Sequence, residues 1–395
     1  MNICIVGKSL NKISGHSKPA FDLARELAAH GHNVTILTSQ SALGLEDIKK
    51  QFAAYQNIKV ITPCRSLMLG ILLGNKSLIT TINNFDIIHL FDSIPPKLIR
   101  SHLTNPTPII YTLNGPYRIR ISELVNAGGL SLLNIFKPAF FLSLFTPKLV
   151  YQKVLSSFDQ IISTSNYMTR DALALGVAEQ KIKTIPMWID TESFDDIPVR
   201  KDTSSPNLVY FGWGSAIRGV PDVISAFKQV LHKYPEAKLR LCFTGFHGIE
   251  ENLYEHIIRK SKIKHCTISK GYDPNIFSII RAADIVILPF RAACGYAQPP
   301  LVVLEAMALG KVVISTYTGS IAEIISDGET GILVQPRDAR ALAKKIIDVL
   351  SSERTKQKIE NQAKGHILDN HGLKDAAKKI TQIYANVIDK FDKMT

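Results

Sequence analysis

Short apolar runs alternate with amphipathic stretches along almost the whole chain. "NICIVG" is apolar and ends at Gly7. In "PAFDLARELAAHG", Ala20, Leu23, Ala24, Leu27 and Ala28 fall on one helical face, and Gly31 stops the helix. "NVTILTS" is the next strand. The unit is β-α-β, and its crossover predicts a parallel sheet. "DIIHLF", "PIIYTLNG", "QIISTS" and "KIKTIPM" continue it, with Ser165 placed to cap the helix "NYMTRDALALG" that Gly176 closes.

The pattern stops at residues 191–206, "TESFDDIPVRKDTSSP", which is polar, turn-rich and without period. This stretch reads as a linker. Alternation restarts with strand "NLVYFGW", helix "GVPDVISAFKQVLHKYP" and strand "KLRLCFTG". Helix "ENLYEHIIRKSK" and strand "CTISKG" follow, and Asp273 reads as the cap of a helix with Pro274 at its first position. "DIVILPF", the apolar helix of "AQPPLVVLEAMALG", "KVVISTY" and "TGILV" complete the second run before a helical end. Two such runs predict an α/β protein of two doubly wound, Rossmann-like domains, 1–190 and 207–372. The final helix, 373–395, is expected to pack back on the first domain. Ligands bind beyond the carboxyl ends of such strands, so the cleft between the domains is the expected site.

Charge narrows the partner. Among 395 residues, 47 basic and 34 acidic side chains leave a net charge of +13. That balance favours an anionic partner, whether nucleic acid, membrane surface or phosphorylated substrate; the alternative is a charge that only keeps the chain soluble. The five cysteines form no CxxC pair, so buried free thiols in a reducing compartment are expected. "MNICIVGKSL" lacks a signal peptide's layout, and no apolar run reaches the ~20 residues of a membrane span. Between Lys97 and Lys153 there are seven basic residues against one acid, Glu123, with aromatics interleaved. Basic amphipathic helices in a bilayer interface fit this stretch; helices packed on the domain with lysines reaching outward fit it as well.

Glu305 is the chemical anomaly, a lone carboxylate inside an apolar helix. A buried carboxylate needs a partner. Pro299 and Pro300 suit a loop and helix start, so the amides of Leu301 and Val302 point out where an anion is stabilised. Glu305 lies one turn deeper, where a ribose diol could donate to it; a core glutamate paired with a lysine or arginine is the other reading. "YFGWGSAIRG" is a strand and a loop with Gly212, Gly214 and Gly219 that matches neither a Walker loop nor GxGxxG. Its Arg218 reads as a phosphate clamp or as a solvated loop charge. His89 reads as a packed strand residue before a ligand. Paired aspartates of the DxD type, HExxH and GxSxG are all absent, which argues against aspartate-held metal, zinc protease and serine hydrolase chemistry.

Taken in order, these segments resemble the family-4 retaining glycosyltransferases of GT-B fold, two Rossmann-like domains facing across a cleft. The resemblance runs through "GHSKPAFDLARELAAHGHNVTILTS", "STSNYMTRDALALGVAEQKIKTIPMWIDTESF" and "RAADIVILPF". It is strongest in "PPLVVLEAMALGKVVIST" and "GSIAEIISDGETGILVQPRDARALAKKI". It implies a nucleotide-sugar donor, UDP- or GDP-linked, with no metal and no other cofactor. Glu305 would hold the ribose, the backbone at Pro300, Leu301 and Val302 would approach the sugar and diphosphate, and Arg218 would neutralise the diphosphate. Gly15 would let backbone approach the donor, Gly214 would belong to the donor-binding residues, and Asn114 and His16 would lie on the acceptor and sugar side.

The departures from the pattern are as informative. The family's first motif glutamate falls on Ala297, the first clamp arginine on Trp213, and a histidine beside the sugar on Asn114. Arg291 and Lys270 are candidates to restore the lost charge, and Trp213's ring could stack on Arg218 or on a sugar face. The expected acceptor is lipid-linked or a glycan. The expected location is the cytoplasm, at an anionic inner membrane face, without nucleic acid. Two rivals remain: a degenerate GT-B partner subunit and a sugar-nucleotide epimerase of similar build.

Overall fold

The structure is a computed structural model. It describes residues 1–7, 17–39, 45–64, 66–92, 94–115, 125, 145–195, 197–198, 205–244, 249–271, 273–294 and 296–393. The chain divides into two compact units: residues 1–117, 146–190 and 372–395 form the first, and 191–371 lie in the second.

In the first unit the strands are β1 (Asn2–Val6), β2 (Asn33–Leu37), β3 (Ile58–Ile61), β4 (Ile87–Leu90), β5 (Ile109–Leu113), β6 (Gln160–Ser163) and β7 (Ile182–Thr184). They form one parallel sheet in the order β3-β2-β1-β4-β5-β6-β7. β4 and β5 are buried at every position, which is why "DIIHLF" and "PIIYTL" read as unbroken apolar runs rather than alternation. Short β3 and the small helices Leu67–Leu72, Lys76–Ile82 and Pro96–Arg100 give weaker periodic signals and were not anticipated. Ser165 does cap the helix Asn166–Ala174, accepting from the Met168 amide at 3.2 Å.

The helix Leu373–Asp392 completes this unit. Its Leu373, Ala376, Ile380, Tyr384 and Val387 join a core with Leu23, Leu27 and Trp188. Each large apolar side chain so buried contributes about 1.5–3 kcal/mol. The core also holds a polar bridge. His89 on β4 is fully buried, 2.6 Å from both Tyr384 Oη and Thr112 Oγ1. Burial pushes its imidazole down to about 3, so it is a neutral core group.

In the second unit β8 (Asn207–Gly212), β9 (Lys238–Phe243), β10 (Cys266–Lys270), β11 (Ile285–Ile287), β12 (Val312–Thr316) and β13 (Ile332–Val334) form a parallel sheet in the order β10-β9-β8-β11-β12-β13. The order reverses between β8 and β11, so the crevice beyond their carboxyl ends is the place for a ligand. The stretch read as a linker begins with a short turn, Glu192–Phe194, tied to this unit: Phe194 packs edge-on against Phe277, and the Arg281 guanidinium donates to the carbonyls of Phe194 and Asp195. Asp273 stands two residues before the helix cap, which is Asn275. Asp273 Oδ1 accepts from the Asn275 amide at 2.8 Å, and the helix begins at Ile276.

Candidate active site

Two loops of the second unit meet at that reversal point. Residues 213–219 leave β8 and residues 288–300 leave β11. Glycine makes the close approach possible. Gly219 has φ +79°, and a Cβ there would stand 1.9 Å from the Pro289 carbonyl oxygen. The Arg291 amide donates to Ile217 O at 2.8 Å, closing the second contact between the loops. Thr316 Oγ1 and Thr318 Oγ1 donate to Phe290 O at 2.6 and 3.1 Å and hold the far side.

Arg218 sits inside this junction. Its guanidinium carbon lies 5.2 Å from the Tyr296 ring centroid, 5.5 Å from Trp213 and 5.7 Å from Phe290. Among the described residues no carboxylate pairs with it. Burial pulls its pKa below the ordinary arginine value, against the pull of Tyr210 and Tyr296, yet guanidinium keeps its proton. The result is a partly buried cation with π faces around it and, among the described residues, no carboxylate beside it. Arg218 does lie over the Trp213 ring, one of the two contacts expected of it, and Trp213 is 53% exposed. Tyr296 and Phe290 were missed; no local pattern marks them, because they come from the loop after β11.

The helix Leu301–Ala308 starts next to this loop, with Pro300 in extended backbone at its cap. Among the described residues the amides of Leu301 and Val302 have no acceptor, whereas Val303 N donates to Pro300 O at 3.0 Å. Glu305 is buried, 7% exposed, in a helix whose other residues are all apolar. Gln298 fixes the approach. It is fully buried, donates to Ala293 O at 2.8 Å, and accepts from the Ser320 amide at 2.9 Å and Ser320 Oγ at 2.8 Å. Its side chain lies against Gly319, where a Cβ would meet Gln298 Oε1 at 2.4 Å. Ala297, where the resemblance leads one to expect a glutamate, is buried and apolar.

Arg291 enters this arrangement differently from the expectation. Its Nε and Nη2 reach Asp222 Oδ2 and Oδ1 at 2.6 and 2.7 Å, with both side chains largely buried. The bidentate fork neutralises the charge, so Arg291 ties the loop after β11 to the first turn of the helix Val220–Lys233 rather than offering a spare cation. Lys270 is likewise engaged, 2.8 Å from Glu255 Oε1 and 3.0 Å from Asn252 Oδ1. Gly214 is buried in the loop after β8.

In the first unit Asn114 follows β5 at its carboxyl end, buried, and its Nδ2 has no partner among the described residues. Gly15 and His16 lie outside the described residues. Among the described residues no cluster of metal-ligating side chains occurs.

Among the described residues, the reversal point of this doubly wound parallel sheet brings together an arginine without a carboxylate and helix-start amides without acceptors, an arrangement of the type that suits an anion. Residues 13–193 match the family described as Glycosyltransferase Family 4, and residues 194–366 match Glycosyl transferases group 1. The chain belongs to this glycosyltransferase family and has the GT-B fold. It is 21% identical over 390 residues to N-acetyl-alpha-D-glucosaminyl L-malate synthase of Bacillus anthracis, covering 95% of each. It is 25% identical over 231 residues to glycogen synthase of Mycobacterium tuberculosis, and that match covers 57% of this chain and only about half, 54%, of the relative. The fold is shared with a glycosyltransferase from Rickettsia africae, with TM-score 0.75, 20% identity and 98% of each chain covered. It is also shared with Anabaena HepE in complex with UDP and glucose, with TM-score 0.75, 16% identity and 98% and 99% covered.

Proposed function

We propose that this glycosyltransferase takes its sugar from a UDP- or GDP-linked donor and transfers it with retention of configuration, without a metal. The observation that carries the reading is Arg218, a cation among three rings that, among the described residues, has no carboxylate, beside the amides of Leu301 and Val302, which have no acceptor among them. Those donors suit the diphosphate that leaves as the sugar–oxygen bond breaks. Glu305 would accept from the ribose diol. The acceptor oxygen would attack from the face the diphosphate leaves, which keeps the configuration. HepE, of the same fold, binds UDP and glucose, which supports the donor class.

For the acceptor we favour a lipid-linked molecule or glycan met at an anionic, cytoplasmic membrane face. Support comes from the helix Lys148–Leu155, whose Leu149 and Val150 are exposed beside Lys148 and Lys153; residues 130–144 of the basic stretch lie outside the described residues. No described helix is long and apolar enough to cross a membrane. Titration calorimetry with UDP and GDP, followed by transfer assays with lipid-linked acceptors, tests the reading. Failure of both nucleotides to bind refutes the donor assignment and favours a degenerate partner subunit, the reading that Ala297 motivates.

A further inference from the structure

The two tryptophans of the chain have opposite surroundings. Trp188 is fully buried, its Nε1 donates to Pro19 O at 3.0 Å, and its ring meets Phe91 edge-on. Trp213 is more than half exposed, and among the described residues its Nε1 has no acceptor. Phe290 and Tyr296, the other two rings around Arg218, are buried. The backbone under Trp213 is nonetheless fixed. Gly212, the last residue of β8, has φ +132°, where a side chain would be strained, and a Cβ there would stand 3.2 Å from Arg218 Nη1. The Trp213 carbonyl accepts from Tyr210 Oη at 2.5 Å and from the Ser215 amide at 2.9 Å. Tyr210 is itself buried and packs edge-on against Phe243.

An indole held in place yet left in water forgoes the burial that stabilises Trp188. Packing against Arg218 does not account for it, because two buried rings already flank that guanidinium. The position of the ring points to its occupant. Arg218 lies 5.5 Å from the indole centroid, so whatever covers Trp213 stands beside the anion that Arg218 holds. In a nucleotide sugar the base is a whole ribose away from the diphosphate. The group bonded directly to the diphosphate is the sugar, and the acceptor must reach that sugar's anomeric carbon. A pyranose has a face of C–H bonds and a rim of hydroxyls. The face suits an aromatic ring, and a rim oxygen can accept from an indole N–H.

We propose that Trp213 is a substrate-contacting, specificity-determining residue whose indole stacks on a pyranose ring beside the diphosphate, an inference that rests on the donor reading above. The test is calorimetry on the full chain with UDP against UDP-glucose and GDP against GDP-mannose, on wild type, Trp213→Phe and Trp213→Ala, with the melting temperature reporting on folding. A second arm titrates N-acetylglucosamine into nucleotide-saturated protein and follows the emission of Trp213, which Trp213→Phe separates from that of Trp188. If the stacked ring is the donor's, Trp213→Ala weakens the nucleotide sugar about tenfold more than the bare nucleotide, and Trp213→Phe keeps most of that difference. If it is the acceptor's, that ratio holds, and N-acetylglucosamine gives a saturable change in Trp213 emission and a binding that Trp213→Ala loses. Equal weakening of nucleotide and nucleotide sugar with no N-acetylglucosamine binding makes the ring a partner of phosphate or base and overturns the proposal. Unchanged affinities in both arms overturn it as well, with the donor reading intact. Failure of UDP and GDP to bind wild type is the separate result that removes the donor reading and this inference together.

Discussion

Removing the guanidinium of Arg218 separates binding from stability. In Arg218→Ala the fold loses three cation–π contacts, at 5.2, 5.5 and 5.7 Å, together about 1.5–3 kcal/mol. It also sheds a partly buried charge that no carboxylate compensates, a gain of comparable size. The two nearly cancel, so unfolding free energy should change by no more than about 1 kcal/mol. The bound diphosphate has no such compensation. One charge-assisted contact of about 1.5–3 kcal/mol predicts a 10- to 150-fold weaker UDP or GDP. Calorimetry should show that loss for the nucleoside diphosphate, with the nucleoside alone almost unaffected, and urea unfolding should show near-native stability. Equal weakening of nucleoside and diphosphate, or unchanged diphosphate affinity with large destabilisation, would refute the reasoning and make Arg218 a packing residue.

Glu305→Gln keeps shape and loses the anionic acceptor, so nucleotide affinity should fall by about 1.5–3 kcal/mol with the melting temperature held; a lower melting temperature with unchanged affinity returns Glu305 to the core. Arg291→Ala breaks a pair whose side chains are 12% and 8% exposed, so denaturant unfolding should show a loss of about 3–5 kcal/mol, and Asp222→Ala in the same background should recover part of it. His89 has an ordinary value of 6.5 and a folded value of about 3, so the unfolded chain binds the proton first. Its stabilisation is whole above pH 6.5 and is lost on acidification toward pH 3, by about 1.4 kcal/mol per unit; comparing pH 7 with pH 5 in wild type and His89→Asn isolates this slope, and parallel losses in both would contradict it. Wild type should sediment with anionic vesicles at low salt and release as salt rises, and Leu149→Glu with Val150→Glu should abolish binding; equal binding to neutral vesicles ends the idea.

The sheets were legible because parallel strands buried on both faces read as apolar runs ended by glycine. Glu305 stood out in the sequence because it is the one acid in an apolar helix, and the structure places it there, buried. Trp213 was legible through the resemblance, which marked it as the place of a lost arginine. The Arg291–Asp222 pair was not legible. Its partners are 69 positions apart, and a loop arginine looks the same in sequence whether it is free or forked. Phe290, Tyr296 and Gln298 escaped for a related reason: a tertiary crossing of two loops sets their roles, and no period records it.

The helix Leu373–Asp392 gives the molecule an order of assembly. As the chain is made, residues 1–190 emerge with every strand of the first sheet but without Tyr384 for His89 and without Leu373, Ile380 and Val387 for the core. The second unit, residues 118–145 and 191–371, has been made in full by the time Leu373 emerges, while the first still waits. The earlier half of the sequence is therefore the later to mature, and during synthesis it holds open the apolar face that helpers of folding recognise. A stop before Leu373 would leave the second unit whole and the first permanently unfinished.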